Sequence, residues 1–203
     1  MKIIAVSGVA RAGKDTISDG LVEVLKDMNP SLKIMRVSFA ENLKMEMTEF
    51  LVDNFAINPF NADGEEKELI RPLLVAYGKA KRNQTKGRYW VDGVDKKIKE
   101  HNPDVVIISD LRFAEEKQDE LFWLREKGGK LIHVSRYVTN TKLSGDKEFI
   151  PPANQEEAKN DPILKENADF VIQWETSSDE KDLKEKTKEY CEKFYYENIS
   201  LFS

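Results

Sequence analysis

The stretch Lys2-Ile-Ile-Ala-Val-Ser-Gly-Val-Ala-Arg-Ala-Gly-Lys-Asp-Thr16 decides the fold. Residues 2–7 are apolar on both faces, the pattern of a strand buried inside a parallel sheet. Ile17, Leu21, Val24, Leu25 and Met28 then recur at helical spacing, which predicts a helix from Lys14 to Met28, ended by Asn29-Pro30. Between the two lies Gly8-Val-Ala-Arg-Ala-Gly13-Lys14, the G-x-x-x-x-G-K spacing of a phosphate-binding loop. Glycines let backbone N–H groups turn inward around a phosphate, and the helix N-terminus adds partial positive charge. The lysine then bridges the β- and γ-phosphates. The expected phosphate contacts are Gly8, Arg11, Ala12, Gly13, Lys14, Asp15 and Thr16. Asp15 departs from the pattern, because Ser or Thr is usual there. As a hard oxygen donor it suits Mg²⁺, directly or through water.

Working outward, strands are expected at 33–37, 104–109, 130–135 and 169–174, alternating with helices. Helices are expected around Leu43–Leu51, Leu69–Tyr77 with Pro72 in the first turn, Trp90–Ile98, Phe113–Lys127, 155–166 and Leu183–Phe194. Residues 137–154, with Ser144-Gly145 and Pro151-Pro152, read as a mobile polar loop. This is an α/β chain with a mostly parallel five-stranded sheet flanked by helices. Ligands on such sheets gather at the carboxyl ends of the strands. Gly8, Ser38, Asp110 and Arg136 each follow a strand and are expected along one edge.

Composition narrows the function. The chain has 203 residues and a net charge of −5. Residues 1–154 hold 25 basic and 24 acidic side chains, and residues 155–203 hold 7 and 13. The acidic excess is therefore confined to the end of the chain, and all eight Arg lie before it. That balance disfavours a long duplex nucleic-acid footprint but allows a compact cationic cleft. Cys191 is the single cysteine and reads as core, so a disulfide framework or cysteine zinc site is excluded. His101 and His133 have no evident partner. No apolar run approaches a membrane span. The expectation is one cytoplasmic domain over residues 1–203 with no membrane partner, monomeric or homodimeric.

The run Ser7–Thr16, with G-K-D-T in place of G-K-[ST], resembles the phosphate loop of the bacteriophage deoxynucleoside monophosphate kinases. Ser38-Phe-Ala-Glu-Asn-Leu-Lys44, Arg71-Pro-Leu-Leu-Val-Ala-Tyr-Gly78 through Trp90, and Ile108-Ser-Asp-Leu-Arg-Phe113 with Gly128-Gly129 and Val134-Ser-Arg136 resemble that family in the same order. The resemblance implies a P-loop kinase three-layer sandwich with a helical acceptor-binding region at 41–101 and a lid-like segment at 137–158. It implies ATP and Mg²⁺ as cofactors and phosphorylation of a deoxynucleoside monophosphate, in the host cytoplasm if the chain is phage-encoded. Animal phosphomevalonate kinase has a similar G-K-D loop, and dephospho-coenzyme A kinase shares the general architecture. A kinase of another small phosphorylated acceptor, and a nucleotide-binding module without turnover, are the alternatives.

Phosphoryl transfer asks for positioning and converging positive charge. Lys14, Arg112 and Arg136 are the candidate catalytic cations. Arg112 reads as a contact to the acceptor or the transferring phosphate, or as a surface ion pair with Glu115 or Glu116. Arg136 reads as reaching the phosphates or adenine, or as a lid-anchoring salt bridge. Phe39, Lys44, Arg71, Arg82, Arg88, Trp90 and Arg112 are the candidate acceptor-binding set, with a solvated basic face the competing reading for Arg82 and Arg88. Asp110 resembles a Walker B acid and pairs with Asp15 as the candidate metal carboxylates, or else caps a turn. Arg36 and Arg125 read as surface residues.

Overall fold

In the computed structural model, residues 1–140 and 146–202 are described. The elements run β1 (Lys2–Ser7), α1 (Lys14–Met28), β2 (Ile34–Val37), α2 (Phe39–Phe55), α3 (Gly64–Gln84), α4 (Arg88–His101), β3 (Val105–Leu111), α5 (Glu120–Glu126), β4 (Lys130–Asn140), β5 (Asp146–Phe149), α6 (Gln155–Glu166), β6 (Phe170–Glu175) and α7 (Glu180–Glu197).

Five strands pair in parallel in the order β2-β3-β1-β4-β6. The short strand β5 adds antiparallel to the far half of β4. Every residue of β3 is buried, as is β1 from Ile3 onward, which is why both read as unbroken apolar runs. On one face α1 and α7 cover Ile4, Val6, Val105, Ile107, Ile132 and Val134, and Cys191 lies in this layer. On the other, Trp90, Val94, Trp123 and Leu124 cover Ala5, Val106 and Ile108. A smaller cluster of Met47, Leu51, Ile57 and Ile70 holds α2 to α3. The sheet is thus a three-layer α/β sandwich. Its order reverses around β1, so the loop after β1 opens at the switch point, flanked by the ends of β3 and β4.

Three expectations change. The segment 113–119 is not helical, and α5 begins only at Glu120. Carboxylates take its amides: Glu120 accepts from the N–H of Arg112 and Phe113, and Asp119 from those of Glu115 and Glu116. Pro72 lies inside α3, not in its first turn, because the Asp63–Glu66 capping box starts the helix eight residues earlier. Part of the polar 137–154 segment is sheet: Tyr137 pairs with Phe149 and Thr139 with Lys147. Residues 141–145, which include Ser144-Gly145, lie outside the described residues.

Candidate active site

The loop between β1 and α1 has the backbone its glycines permit. Gly8, Arg11 and Gly13 have φ of +137°, +65° and +98°. A β-carbon on Gly8 would lie 2.2 Å from the Val134 carbonyl oxygen of β4. One on Gly13 would lie 2.0 Å from the Trp174 ring of β6. The indole Nε1 of Trp174 donates to the Ala12 carbonyl at 2.8 Å. Thus Val134 of β4 and Trp174 of β6 hold the loop from behind.

The Lys14 ammonium folds over the loop and donates to the Gly8 and Val9 carbonyls, each at 2.8 Å. Burial, and next the Arg112 guanidinium, hold it down to about 8. The charges of Glu157, Asp110 and Asp15 act in the opposite direction. One ammonium therefore senses Asp15, Asp110, Arg112 and Glu157 together, which brings the ends of β1 and β3 and the start of α6 to one point.

A cavity of about 310 Å³ lies between the sheet edge and helices α2 and α3; Asp110, Arg112 and Glu157, whose charges act on Lys14, line it, and Lys14 itself does not. Phe39, Trp90 and Phe113 supply aromatic wall, and Lys44, Lys67, Arg71 and Arg112 supply positive charge. Among the described residues, the Arg112 side chain makes no ion pair with Glu115 or Glu116. Glu115 is held instead by Lys159 and Asn160 of α6. Arg71 reaches the cavity while paired with Glu68 at 2.8 Å. Arg82 also lines it, but its guanidinium is buried against Asp119 at 3.3 Å and lies 3.7 Å over the Phe113 ring. Phe39 and Trp90 are both almost wholly buried. Phe39 packs edge-on to Trp123, and the Trp90 indole donates to the Gly78 carbonyl at 3.2 Å.

Other residues fall elsewhere. Arg88 forms ion pairs with Asp92 and Asp95 on its own helix and does not line the cavity. Arg136 is not after β4 but within it, because β4 runs on to Asn140 to pair with β5. Among the described residues its Nε is buried without a hydrogen-bond partner. Arg11 is exposed, and Thr16 is half-buried on the first turn of α1.

Asp110 caps the start of α2. Its carboxylate accepts from Ser38 Oγ at 2.9 Å and from the N–H groups of Phe39 and Ala40 at 2.8 and 2.9 Å. Asp15 is 82% exposed and paired with Arg36, which also reaches Asp19 at 3.4 Å. Arg36 is therefore engaged at the loop. Among the described residues, no group of three or more His, Cys, Asp or Glu side chains converges as a metal cage. Mg²⁺ needs only one or two protein carboxylates besides waters and substrate phosphates; exposed Asp15 is available once it leaves Arg36, and Asp110, both of whose oxygens accept from the start of α2, only through water.

Sequence reading missed several groups. Glu120 is fully buried, lines the cavity, and is pushed up to about 8 by burial, which outweighs the lowering by the two amides it accepts from. The long i→j separations of Trp174, Glu157 and Lys79 leave no local signal. His133, read as unpartnered, is buried on β4 with Nε2 3.0 Å from Asp161 and Nδ1 3.3 Å from Ser135 Oγ, fastening α6 to the sheet. No helix is long and apolar enough to cross a membrane among the described residues.

The family model described as phosphomevalonate kinase matches residues 6–127. Comparison with the curated proteins gives no match. Among solved structures, TT1252 from Thermus thermophilus is 14% identical, covering 98% of this chain and 97% of that one, with a TM-score of 0.47. Shikimate kinase from Bacteroides thetaiotaomicron is 12% identical over 95% and 98%, TM-score 0.42. Shikimate kinase from Acinetobacter baumannii, in complex with shikimate, is 13% identical over 98% and 94%, TM-score 0.41.

Proposed function

The chain belongs to the phosphomevalonate kinase family, and from that premise we propose that it transfers the γ-phosphate of ATP to a deoxynucleoside monophosphate. The kinase character follows from the family. The acceptor is our reading, and one observation carries it: the cavity lined by Arg112 joins aromatic wall, from Phe39, Trp90 and Phe113, to the cations Lys44, Lys67, Arg71 and Arg112. A base offers a flat apolar face and a phosphate offers charge, so this mixture suits a nucleotide better than a small aliphatic acid.

In this reading the loop amides and Lys14 take the β- and γ-phosphates of ATP. Lys14 leaves the Gly8 and Val9 carbonyls to do so. Arg112, one residue past β3, faces the transferring group from the acceptor side and meets the charge that develops on it. Arg71 and Lys44 hold the acceptor phosphate. A phosphate oxygen is already a competent nucleophile, so no general base is assigned. Asp15 and, through water, Asp110 would hold Mg²⁺, which would supply charge neutralisation on the ATP phosphates. Arg136, on the loop's supporting strand β4 and with its Nε unpartnered among the described residues, is assigned to the donor side.

A second reading keeps the chemistry and changes the acceptor to phosphomevalonate; the family match itself favours it. A coupled assay with ATP against deoxy- and ribonucleoside monophosphates and phosphomevalonate separates the two. Turnover of a deoxynucleoside monophosphate is expected. Turnover of phosphomevalonate with no nucleotide would reject the acceptor assignment.

A further inference from the structure

The first turn of α6 spans the cleft. Glu157 Oε2 accepts from the N–H of Ala10, inside the phosphate loop, at 3.1 Å and from the N–H of Ala153 at 2.9 Å. The preceding residue, Glu156, pairs with Lys79 of α3 at 2.7 Å on the opposite wall. Both glutamates and Lys79 line the cavity. The α6 helix is fastened at its rear by Asn160, which accepts from the N–H of Ala114, and by the Asp161–His133 contact.

A loop built to bind phosphate through N–H groups and one ammonium here holds an internal carboxylate. Ala10 lies between Gly8 and Gly13, and the Glu157 charge acts on Lys14. The carboxylate sits on an amide of the same loop and its charge acts on the ammonium a nucleotide phosphate would use, so the two anions compete. We propose that Glu157 is an internal occupant of the phosphate loop that nucleotide displaces, and that its departure with Glu156 frees Lys79 for an anionic acceptor. The inference rests on the phosphate-loop reading above. Its consequence is coupling: donor binding opens the pair that blocks the acceptor wall, so each ligand favours the other.

The test is the affinity of ADP, measured calorimetrically in the full chain for wild type, Glu157→Gln, Glu157→Ala and Lys14→Ala, with melting curves for each. Glu157→Gln keeps size and a hydrogen-bond acceptor but removes the charge. The proposal expects both Glu157 variants to bind ADP about three- to tenfold more tightly than wild type, with near-normal melting. Lys14→Ala should lose ADP binding. ADP binding that depends on Lys14 but is unchanged or weakened in both Glu157 variants overturns the internal-occupant proposal alone. A wild-type chain that binds no ADP overturns the phosphate-loop reading and this inference with it.

Discussion

Trp174 stands where a side chain on Gly13 would have to go. The β6 indole donates to the Ala12 carbonyl at 2.8 Å, and a β-carbon on Gly13 would lie 2.0 Å from its ring. The phosphate loop is thus set by a residue 161 positions away in sequence.

Three substitutions separate the roles of that contact. Gly13→Ala forces a β-carbon into the ring at a φ of +98° and is expected to abolish ADP binding. Trp174→Phe keeps an aromatic ring and loses one hydrogen bond, for a cost of about 1 kcal/mol. Trp174→Ala empties a buried site and should cost about 3–5 kcal/mol. Urea denaturation and ADP titration of the three variants check this. Wild-type affinity in Gly13→Ala would refute it.

Lys14→Ala should keep the fold and lower turnover by about 10²- to 10³-fold, because charge stabilisation at the transferring phosphate is lost. A pH signature accompanies it. The folded chain releases the Lys14 proton near 8, whereas the unfolded chain keeps it to about 10.5. Between those values the unfolded state binds more protons, so this group makes stability rise with pH. ADP affinity runs the other way and should fall above about pH 8 as the ammonium is lost. The residual affinity of Lys14→Arg should be flat over the same range.

Glu120 carries the opposite sign. Its carboxyl is pushed from about 4.5 to about 8, so between those values the folded state holds a proton the unfolded state has released. Its contribution to stability is present below about 4.5 and lost as pH rises toward 8. Glu120→Gln, which still accepts from the amides of Arg112 and Phe113, should melt above wild type at pH 8, with the difference closing in acid. Parallel melting curves at every pH would contradict the assignment.

Arg112 and Arg88 make a matched pair of tests. Arg112→Ala should reduce turnover by about 10²-fold or more, since it removes a cation facing the transferred group. Arg88→Ala breaks partly exposed pairs with Asp92 and Asp95 and should leave turnover near wild type, at a stability cost of about 1 kcal/mol or less. Steady-state kinetics on both variants decide it.

Arg82→Met leaves the fully buried Asp119 without its cation. The expected loss is about 3–5 kcal/mol, read by denaturant unfolding. A variant of unchanged stability but lost acceptor affinity would assign Arg82 to the substrate instead.

Much of this was legible in order along the chain. Lys2–Met28 read as strand, glycine turn and helix, because burial on both faces, the G-x-x-x-x-G-K spacing and the 3.6-residue period are local signals. The parallel sheet followed from alternation of strands and helices. The failures were also local in cause. Residues 113–119 have helical composition, yet the carboxylates of Asp119 and Glu120 claim their amides. Residues 137–140 open a largely polar segment and read with it, yet β5 supplies their partners.

What the sequence determined by itself is the phosphate loop, the sheet that carries it, and the set of cations and aromatics from which a cleft could be built. Only the tertiary structure decided how they were used. It put Asp110 on the start of α2, Arg36 on Asp15, Arg88 on its own helix, and Glu157 on the Ala10 amide. The physical reason is that a charged group takes the nearest counter-charge or free N–H in space, and those partners lie 21 to 147 residues away for all but Arg88.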